Sequence, residues 1–139
     1  MERSGVILLD THVLLWLDSD APQLGLEARR RIEQAWRSDQ VVVSAISFWE
    51  VAMLEKRGRI TLESTPRQWR DDWCAAGLKE RPVDAPVALT AVALEAFHAD
   101  PADRFIVATA LTEQALLISA DLAILNWSNG SLNRLDARH

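Results

Sequence analysis

The stretch Val6-Ile7-Leu8-Leu9-Asp10 decides the fold of this chain. Its first four residues are all apolar and lack the polar alternation of a strand that faces water on one side. Such runs are typical of strands that are buried on both faces in a parallel sheet. We therefore predict that residues 6–9 form the first strand of such a sheet, with Asp10 directly after its carboxyl end.

Similar apolar runs alternate with helical patterns along the rest of the chain. Four more strand candidates, two clear and two weaker, complete a sheet of about five strands: residues 41–43, 116–118, 80–83 and 133–135. The segments between them show helical periodicity: residues 11–17, 26–36, 46–57, 66–76, 86–97 and 102–114. This alternation predicts an α/β protein, a three-layer α/β/α sandwich with a central parallel sheet.

Length and composition limit the classes of protein that remain. The 139 residues suffice for a single domain, residues 1–139, with its own core. A net charge of −5 has the wrong sign for a broad nucleic-acid-binding surface, unless carboxylates converge on divalent cations that reverse the local field. Because the chain has neither a membrane-length apolar run nor a leader pattern, we expect a cytoplasmic protein that does not associate with membranes.

Two aspartates follow strand candidates directly. Asp10 comes after residues 6–9, and Asp121 comes after Leu117-Ile118-Ser119-Ala120. In open parallel sheets, ligands bind outside the carboxyl ends of the strands, so both carboxylates are candidates for chemistry. Aspartate is also a preferred N-cap residue, and the pattern alone leaves both roles open.

Two further predicted helices carry acidic residues at or near their starts. Glu50 has mostly apolar neighbours after the second strand and faces either solvent or the edge of the sheet. In Asp100-Pro101-Ala102-Asp103, we predict that Asp100 is the N-cap and that Asp103 lies in the first helical turn. Capping explains both aspartates without catalysis, although Asp103 would also lie beside the strand-end crevice.

Together these segments resemble the PIN-domain family and, more narrowly, the VapC-type toxins of toxin–antitoxin pairs. Four motifs carry the resemblance: Leu8-Leu9-Asp10-Thr11-His12, Ser47-Phe48-Trp49-Glu50-Val51-Ala52, Asp100-Pro101-Ala102-Asp103-Arg104-Phe105-Ile106-Val107-Ala108 and Ser119-Ala120-Asp121. They occur in order from Leu8 to about Trp127, which is most of the chain. Trp127 stands where many relatives carry tyrosine, and we predict that this change alters substrate contact.

The resemblance implies a metal-dependent endoribonuclease that hydrolyses RNA phosphodiester bonds and is the toxin of a type II toxin–antitoxin pair. It assigns catalysis and the binding of Mg²⁺ or Mn²⁺ to Asp10, Glu50, Asp103 and Asp121. Asp100 is either a further ligand or only a helix cap, and the number of metal ions stays open. The expected partners are an RNA substrate, a VapB-like antitoxin and a second copy of the chain in a homodimer.

Several other residues invite functional roles. His12 and His98 lie beside acidic motifs, but neither has a second histidine at metal-ligand spacing, so we predict structural or surface roles for both. Trp69 and Trp73 are one helical turn apart, and we predict that they contact the antitoxin. The candidates for phosphate contact are Lys56, Arg57, Arg59 and Arg104.

Two competing functions fit an acidic cluster on this fold. One is another metal-dependent phosphotransfer enzyme, such as a phosphatase or a structure-specific DNA nuclease. The other is a non-catalytic module that binds protein or RNA. The presence of all four motif carboxylates argues against the second function.

Overall fold

Five strands form the centre of the protein, and the computed structural model describes residues 5–139. The predicted domain begins at residue 1, so its first four residues lie outside the described part. The strands are β1 (Ile7–Leu9), β2 (Val41–Ser44), β3 (Lys79–Arg81), β4 (Leu116–Ser119) and β5 (Asn133–Asp136). The helices are α1 (Thr11–Asp18), α2 (Leu26–Arg37), α3 (Ala45–Lys56), α4 (Pro66–Ala75), α5 (Ala85–Ala93), α6 (Pro101–Glu113) and α7 (Leu122–Leu125).

The strands form one sheet in the order β3-β2-β1-β4-β5, and every neighbouring pair is parallel. The predicted α/β/α sandwich with a parallel five-stranded sheet is therefore confirmed. The chain moves outward from β1 to β2 and β3 and then returns to place β4 on the other side of β1. The strand order thus reverses between β1 and β4, which is where open α/β sheets bind ligands.

The central strand β1 is buried on both faces, as its apolar sequence predicts. Ile7 and Leu9 belong to a core that includes residues of α1 and α2, whereas Leu8 packs on the opposite face with residues of α6 and α7. Leu8 and Leu9 are completely buried. No helix in residues 5–139 combines the length and the apolar composition that a membrane span requires.

The structure departs from the predicted elements at two short segments. β3 ends at Arg81, two residues before the predicted end, because Pro82 has no N–H to donate to the neighbouring strand. The single-turn helix α7, which Asp121 caps, was absent from the prediction. Four residues are too few to show helical periodicity.

The largest difference is at the end of α5, which stops at Ala93, whereas the prediction continued the helix to residue 97. Leu94 has an extended backbone, with φ −62° and ψ 127°. The Arg104 guanidinium donates to backbone carbonyl oxygens in and after the end of α5, those of Ala91, Val92, Leu94, Phe97 and His98. Five acceptors occupy this side chain, so the prediction that Arg104 contacts phosphate is wrong.

We expect Arg104→Met to destabilise the protein, because it keeps the aliphatic stem but removes every guanidinium donor. Hydrogen bonds that involve a charged group contribute roughly 1.5–3 kcal/mol, so the free energy of unfolding should fall by about 2–3 kcal/mol. Urea denaturation would measure this loss. Arg67→Met, at an exposed position in α4, is the matched control and should change the free energy by less than about 0.5 kcal/mol. Equal effects of the two substitutions would contradict the structural role of Arg104.

Candidate active site

Asp10 lies at the carboxyl end of β1 and is only 5% exposed. Its Oδ1 accepts a hydrogen bond from the Thr11 backbone nitrogen at 2.8 Å, which caps α1. Its Oδ2 accepts one from the Ser119 hydroxyl at 2.7 Å. Burial raises the pKa of Asp10, although both hydrogen bonds act in the opposite direction. The position therefore combines the capping and crevice roles that the sequence left open.

Ser119 connects the ends of β1 and β4. Its buried hydroxyl donates to Asp10 and accepts from the Asp121 backbone nitrogen at 3.0 Å. Asp121 in turn caps α7 by accepting from the Ala123 nitrogen at 2.8 Å. One serine thus fixes the spacing between two strand-end aspartates.

Asp103 enters the same crevice from the first turn of α6. Asp100 is the N-cap of that helix and accepts from the Asp103 backbone nitrogen at 3.3 Å. The Asp103 carboxyl forms a hydrogen bond with Asp121, and burial raises its pKa to about 8, with Asp10, Asp100 and Asp121 adding to the effect. Asp10, Asp103 and Asp121 are therefore close enough that their negative charges oppose one another.

Glu50 projects from α3 toward this cluster. Its Oε1 accepts from the Thr11 hydroxyl at 2.5 Å, and that hydroxyl also contacts Ser47 Oγ at 2.8 Å. Burial raises the pKa of Glu50, and the charges of Asp10 and Asp100 contribute to the shift. Glu50 is half-buried and faces the site, so the predicted alternative of a solvent-facing carboxylate does not apply.

His98 lies beside Asp103 in this site, although we predicted only a structural or surface role for it from the sequence. Its Nε2 lies 3.2 Å from Asp103 Oδ2. One ligand atom from each of His98, Asp103 and Asp121 falls within 4.8 Å of the other two. The only sequence signal was its position two residues before Asp100, and that signal means little until the end of α5 is known.

A groove of about 480 Å³ opens beside Glu50. Its walls are largely apolar. They include Trp49, which is 56% exposed. His12, Asp100 and Arg57 add polar groups to the lining. Arg57 therefore stays a candidate for phosphate contact, and Trp49 is an exposed aromatic side chain that the sequence analysis did not single out.

Two tryptophans with predicted contacts to substrate or antitoxin, Trp127 and Trp69, are buried instead. Trp127 is buried, and its Nε1 donates to the Glu95 carbonyl oxygen at 2.9 Å, so the predicted substrate contact is wrong. Trp69 is buried against Phe48 and Trp73, so it is not available as an antitoxin contact. Trp73 is half-buried, and its role as an antitoxin contact remains a prediction.

The donor set of this site fits a hard divalent cation. Mg²⁺ and Mn²⁺ prefer oxygen ligands, and three carboxylates meet at one end of the sheet. Burial is the main cause of the raised pKa of Asp103 and the neighbouring carboxylates add to it, and the positive charge of a bound cation would oppose both effects. Asp10, Asp103 and Asp121 are the residues that could hold it, with Glu50 beside them.

The family model described as the PIN domain matches residues 7–126 of this chain. The chain therefore belongs to the PIN-domain family. It is 37% identical over 116 residues to Ribonuclease VapC22 of Mycobacterium tuberculosis, and this match covers 83% of the chain and 86% of the relative. The predicted resemblance to VapC-type members of the family is confirmed.

Solved structures show the same fold. A toxin–antitoxin complex from Klebsiella pneumoniae matches with a TM-score of 0.65 and 22% identity, covering 94% of this chain and 97% of that chain. VapBC2 from Rickettsia felis, bound to a DNA fragment from its promoter, matches with a TM-score of 0.69 and 14% identity over the same shares. At these identities the likeness concerns the fold alone.

The raised pKa of Asp103 predicts how stability depends on pH in metal-free protein. The carboxyl has a pKa of 3.8 when unperturbed and about 8 in the folded state. Between these values the folded state binds more protons than the unfolded state, so the free energy of unfolding should fall as pH rises. Urea denaturation in chelator should therefore give a lower midpoint at about pH 8 than at about pH 5.

Asp103→Asn should reduce this slope, because asparagine has no proton to lose. Some slope should remain, since the pKa values of Asp10 and Glu50 are raised as well. Asp39→Asn is the matched control, because Asp39 is exposed and has a positive φ of 55°, which asparagine tolerates well. If Asp103→Asn and wild type lose the same free energy between the two pH values, the pKa of Asp103 is not raised in the folded protein.

Proposed function

We propose that this protein is a Mg²⁺- or Mn²⁺-dependent endoribonuclease that hydrolyses RNA phosphodiester bonds in the cytoplasm, as the toxin of a type II toxin–antitoxin pair. The observation that carries the proposal is the meeting of Asp10, Asp103 and Asp121 at the point where the strand order reverses. The name of the relative Ribonuclease VapC22 supports RNA as the substrate.

In this proposal each carboxylate has a distinct task. Asp10, Asp103 and Asp121 hold the cation, and Ser119 keeps Asp10 oriented through the 2.7 Å hydrogen bond. Glu50, held by the Thr11 hydroxyl, orients water at the mouth of the site. The bound cation supplies Lewis acidity toward the phosphodiester and toward water. Asp100 caps α6, since its Oδ1 accepts the Asp103 backbone N–H.

The arrangement also accounts for RNA binding by a chain of negative net charge. Arg57 lines the groove beside Glu50 and offers a phosphate contact at one side. Trp49 exposes an aromatic face on which a base can stack. Local contacts of this kind, together with the cation, replace the broad basic surface that the composition excludes.

Asp103→Asn should abolish most RNA cleavage by the purified protein in Mg²⁺ or Mn²⁺. Residues that only orient metal ligands contribute roughly 10–100-fold, so loss of a ligand should reduce the rate by about 100-fold or more. Cleavage of a labelled RNA, followed with and without chelator, measures the effect. Asp39→Asn should retain the wild-type rate, since that aspartate is exposed and precedes β2, at the end of the strand opposite to the site.

Three outcomes would contradict this proposal. Cleavage that persists in chelator argues against metal dependence, and wild-type activity of Asp103→Asn removes that residue from the site. Preferential cleavage of single-stranded or flap DNA over RNA would favour the alternative of a DNA nuclease.

We further propose that a VapB-like antitoxin covers the groove beside Glu50. The matched structures from Klebsiella pneumoniae and Rickettsia felis are toxin–antitoxin complexes, which gives the class of the partner. Of the tryptophans in residues 5–139, Trp49 is the one whose surface is mostly exposed. Exposed aromatic residues are typical anchors of interfaces. The expected homodimer remains a prediction.

Trp49→Ala should weaken antitoxin binding by about tenfold or more, because truncation of an aromatic anchor typically costs at least 1–2 kcal/mol. Titration calorimetry with the antitoxin from the same operon measures the change. Trp73→Ala is the matched substitution in a separate groove lined by Asp18, Leu62 and Trp73, where Trp73 Nε1 donates to Asp18 Oδ1 at 3.1 Å. A larger loss for Trp73→Ala would place the antitoxin on that groove instead.

A further inference from the structure

His98 lies in the segment between α5 and α6, and its imidazole is directed at the carboxylate cluster. The Nε2 atom is 3.2 Å from Asp103 Oδ2. The ring also packs against Phe97, with a centroid separation of 4.5 Å. The side chain is therefore held at the site by two contacts, and 36% of its surface stays exposed to solvent.

The segment that carries His98 is itself fixed by α6. The Arg104 guanidinium donates to the carbonyl oxygens of Phe97 and His98 at 3.0 and 3.1 Å. Arg104 follows Asp103 directly, so the same turn of α6 positions both the carboxylate and the histidine. This link makes the approach of the imidazole to Asp103 a built feature of the fold.

The spacing of the three donors fits a common octahedral ion. Two ligands about 2.1 Å from one such ion are about 3.0 Å apart when adjacent and about 4.2 Å apart when opposite. The 3.2 Å between His98 and Asp103 matches the adjacent spacing. One donor atom from each of His98, Asp103 and Asp121 lies within 4.8 Å of the other two, so a single ion could reach all three.

We propose that His98 Nε2 is a ligand of the metal ion held by Asp103 and Asp121, and that it shifts the preference of the site from Mg²⁺ toward transition metals. This inference rests on the proposed metal-dependent function. Imidazole nitrogen binds first-row transition metals well, whereas Mg²⁺ prefers oxygen and keeps its water. A nitrogen ligand therefore improves Mn²⁺ and Co²⁺ binding more than Mg²⁺ binding.

The simpler role for His98 is that of a hydrogen-bond donor that orients Asp103 in the way Ser119 orients Asp10. Metal ligation requires the Nε2 lone pair and a proton on Nδ1. The Asp100 backbone N–H donates to Nδ1 across 3.4 Å, and this long, weak hydrogen bond must be given up when Nδ1 takes the proton that ligation through Nε2 requires. The two roles differ in whether a nitrogen atom is bonded to the metal, which spectroscopy detects directly.

Pulsed electron paramagnetic resonance of the full-length protein loaded with Mn²⁺ tests the proposal. We expect a ¹⁴N coupling from a directly bonded imidazole in wild type and its loss in His98→Gln. Glutamine keeps a polar group that can hydrogen-bond to Asp103 but has no imidazole nitrogen. His12→Gln is the matched control, because His12 lines the adjacent groove and its charge lowers the pKa values of Asp10 and Glu50. This variant should retain the coupling.

Equilibrium titrations supply a second measurement. His98→Gln should lower the Co²⁺ affinity relative to that for Mg²⁺ by about tenfold or more, whereas His12→Gln should leave the ratio unchanged. Mn²⁺ binding without a nitrogen coupling, or a coupling that persists in His98→Gln, would overturn the role of His98 while leaving the proposed nuclease function intact. A wild-type protein that binds neither Mn²⁺ nor Mg²⁺ would overturn both.

Discussion

The hydrogen-bonded junction between β1 and β4 is the constraint on which the site depends. Ser119 donates to Asp10 and accepts from the Asp121 backbone, so one hydroxyl determines the separation of two carboxylates. The parallel pairing of the two strands supports it, since Leu9 lies opposite Ile118 one residue before the junction. The apolar core on both faces of β1 thus provides the rigidity that a cluster of like charges needs.

Electrostatic repulsion within this junction opposes folding, and the rest of the molecule offsets it. Burial raises the pKa of Asp103 to about 8, and the charges of Asp10, Asp100 and Asp121 add to the effect. The N-terminus of α6 lies beside them and favours negative charge through its backbone N–H groups. The fold therefore holds the carboxylates together without a cation, and a cation that binds there stabilises the folded state by an amount that rises with the logarithm of its concentration over its dissociation constant.

Sequence alone predicted those parts of the fold and site that depend on local pattern. The apolar run before Asp10 identified a strand buried on both faces, and the capping pattern of Asp100 placed Asp103 in the first turn of a helix. His98 and Arg104 could not be interpreted in this way, because their roles follow from where α5 ends. Helical spacing put Trp69 and Trp73 on one face of α4, but it does not state whether that face meets the core or solvent.

The position of β1 in the middle of the sheet has a consequence for biosynthesis. Ser119 and Asp10 are 109 residues apart, and β1 receives its second neighbour only when β4 is added. A chain that emerges from the ribosome N-terminus first therefore cannot close the junction until almost all of it has been translated. Contacts between such distant residues also slow folding. Incomplete translation products that stop before Leu116 lack β4 and Ser119, so they cannot assemble the junction or bring Asp10 and Asp121 together.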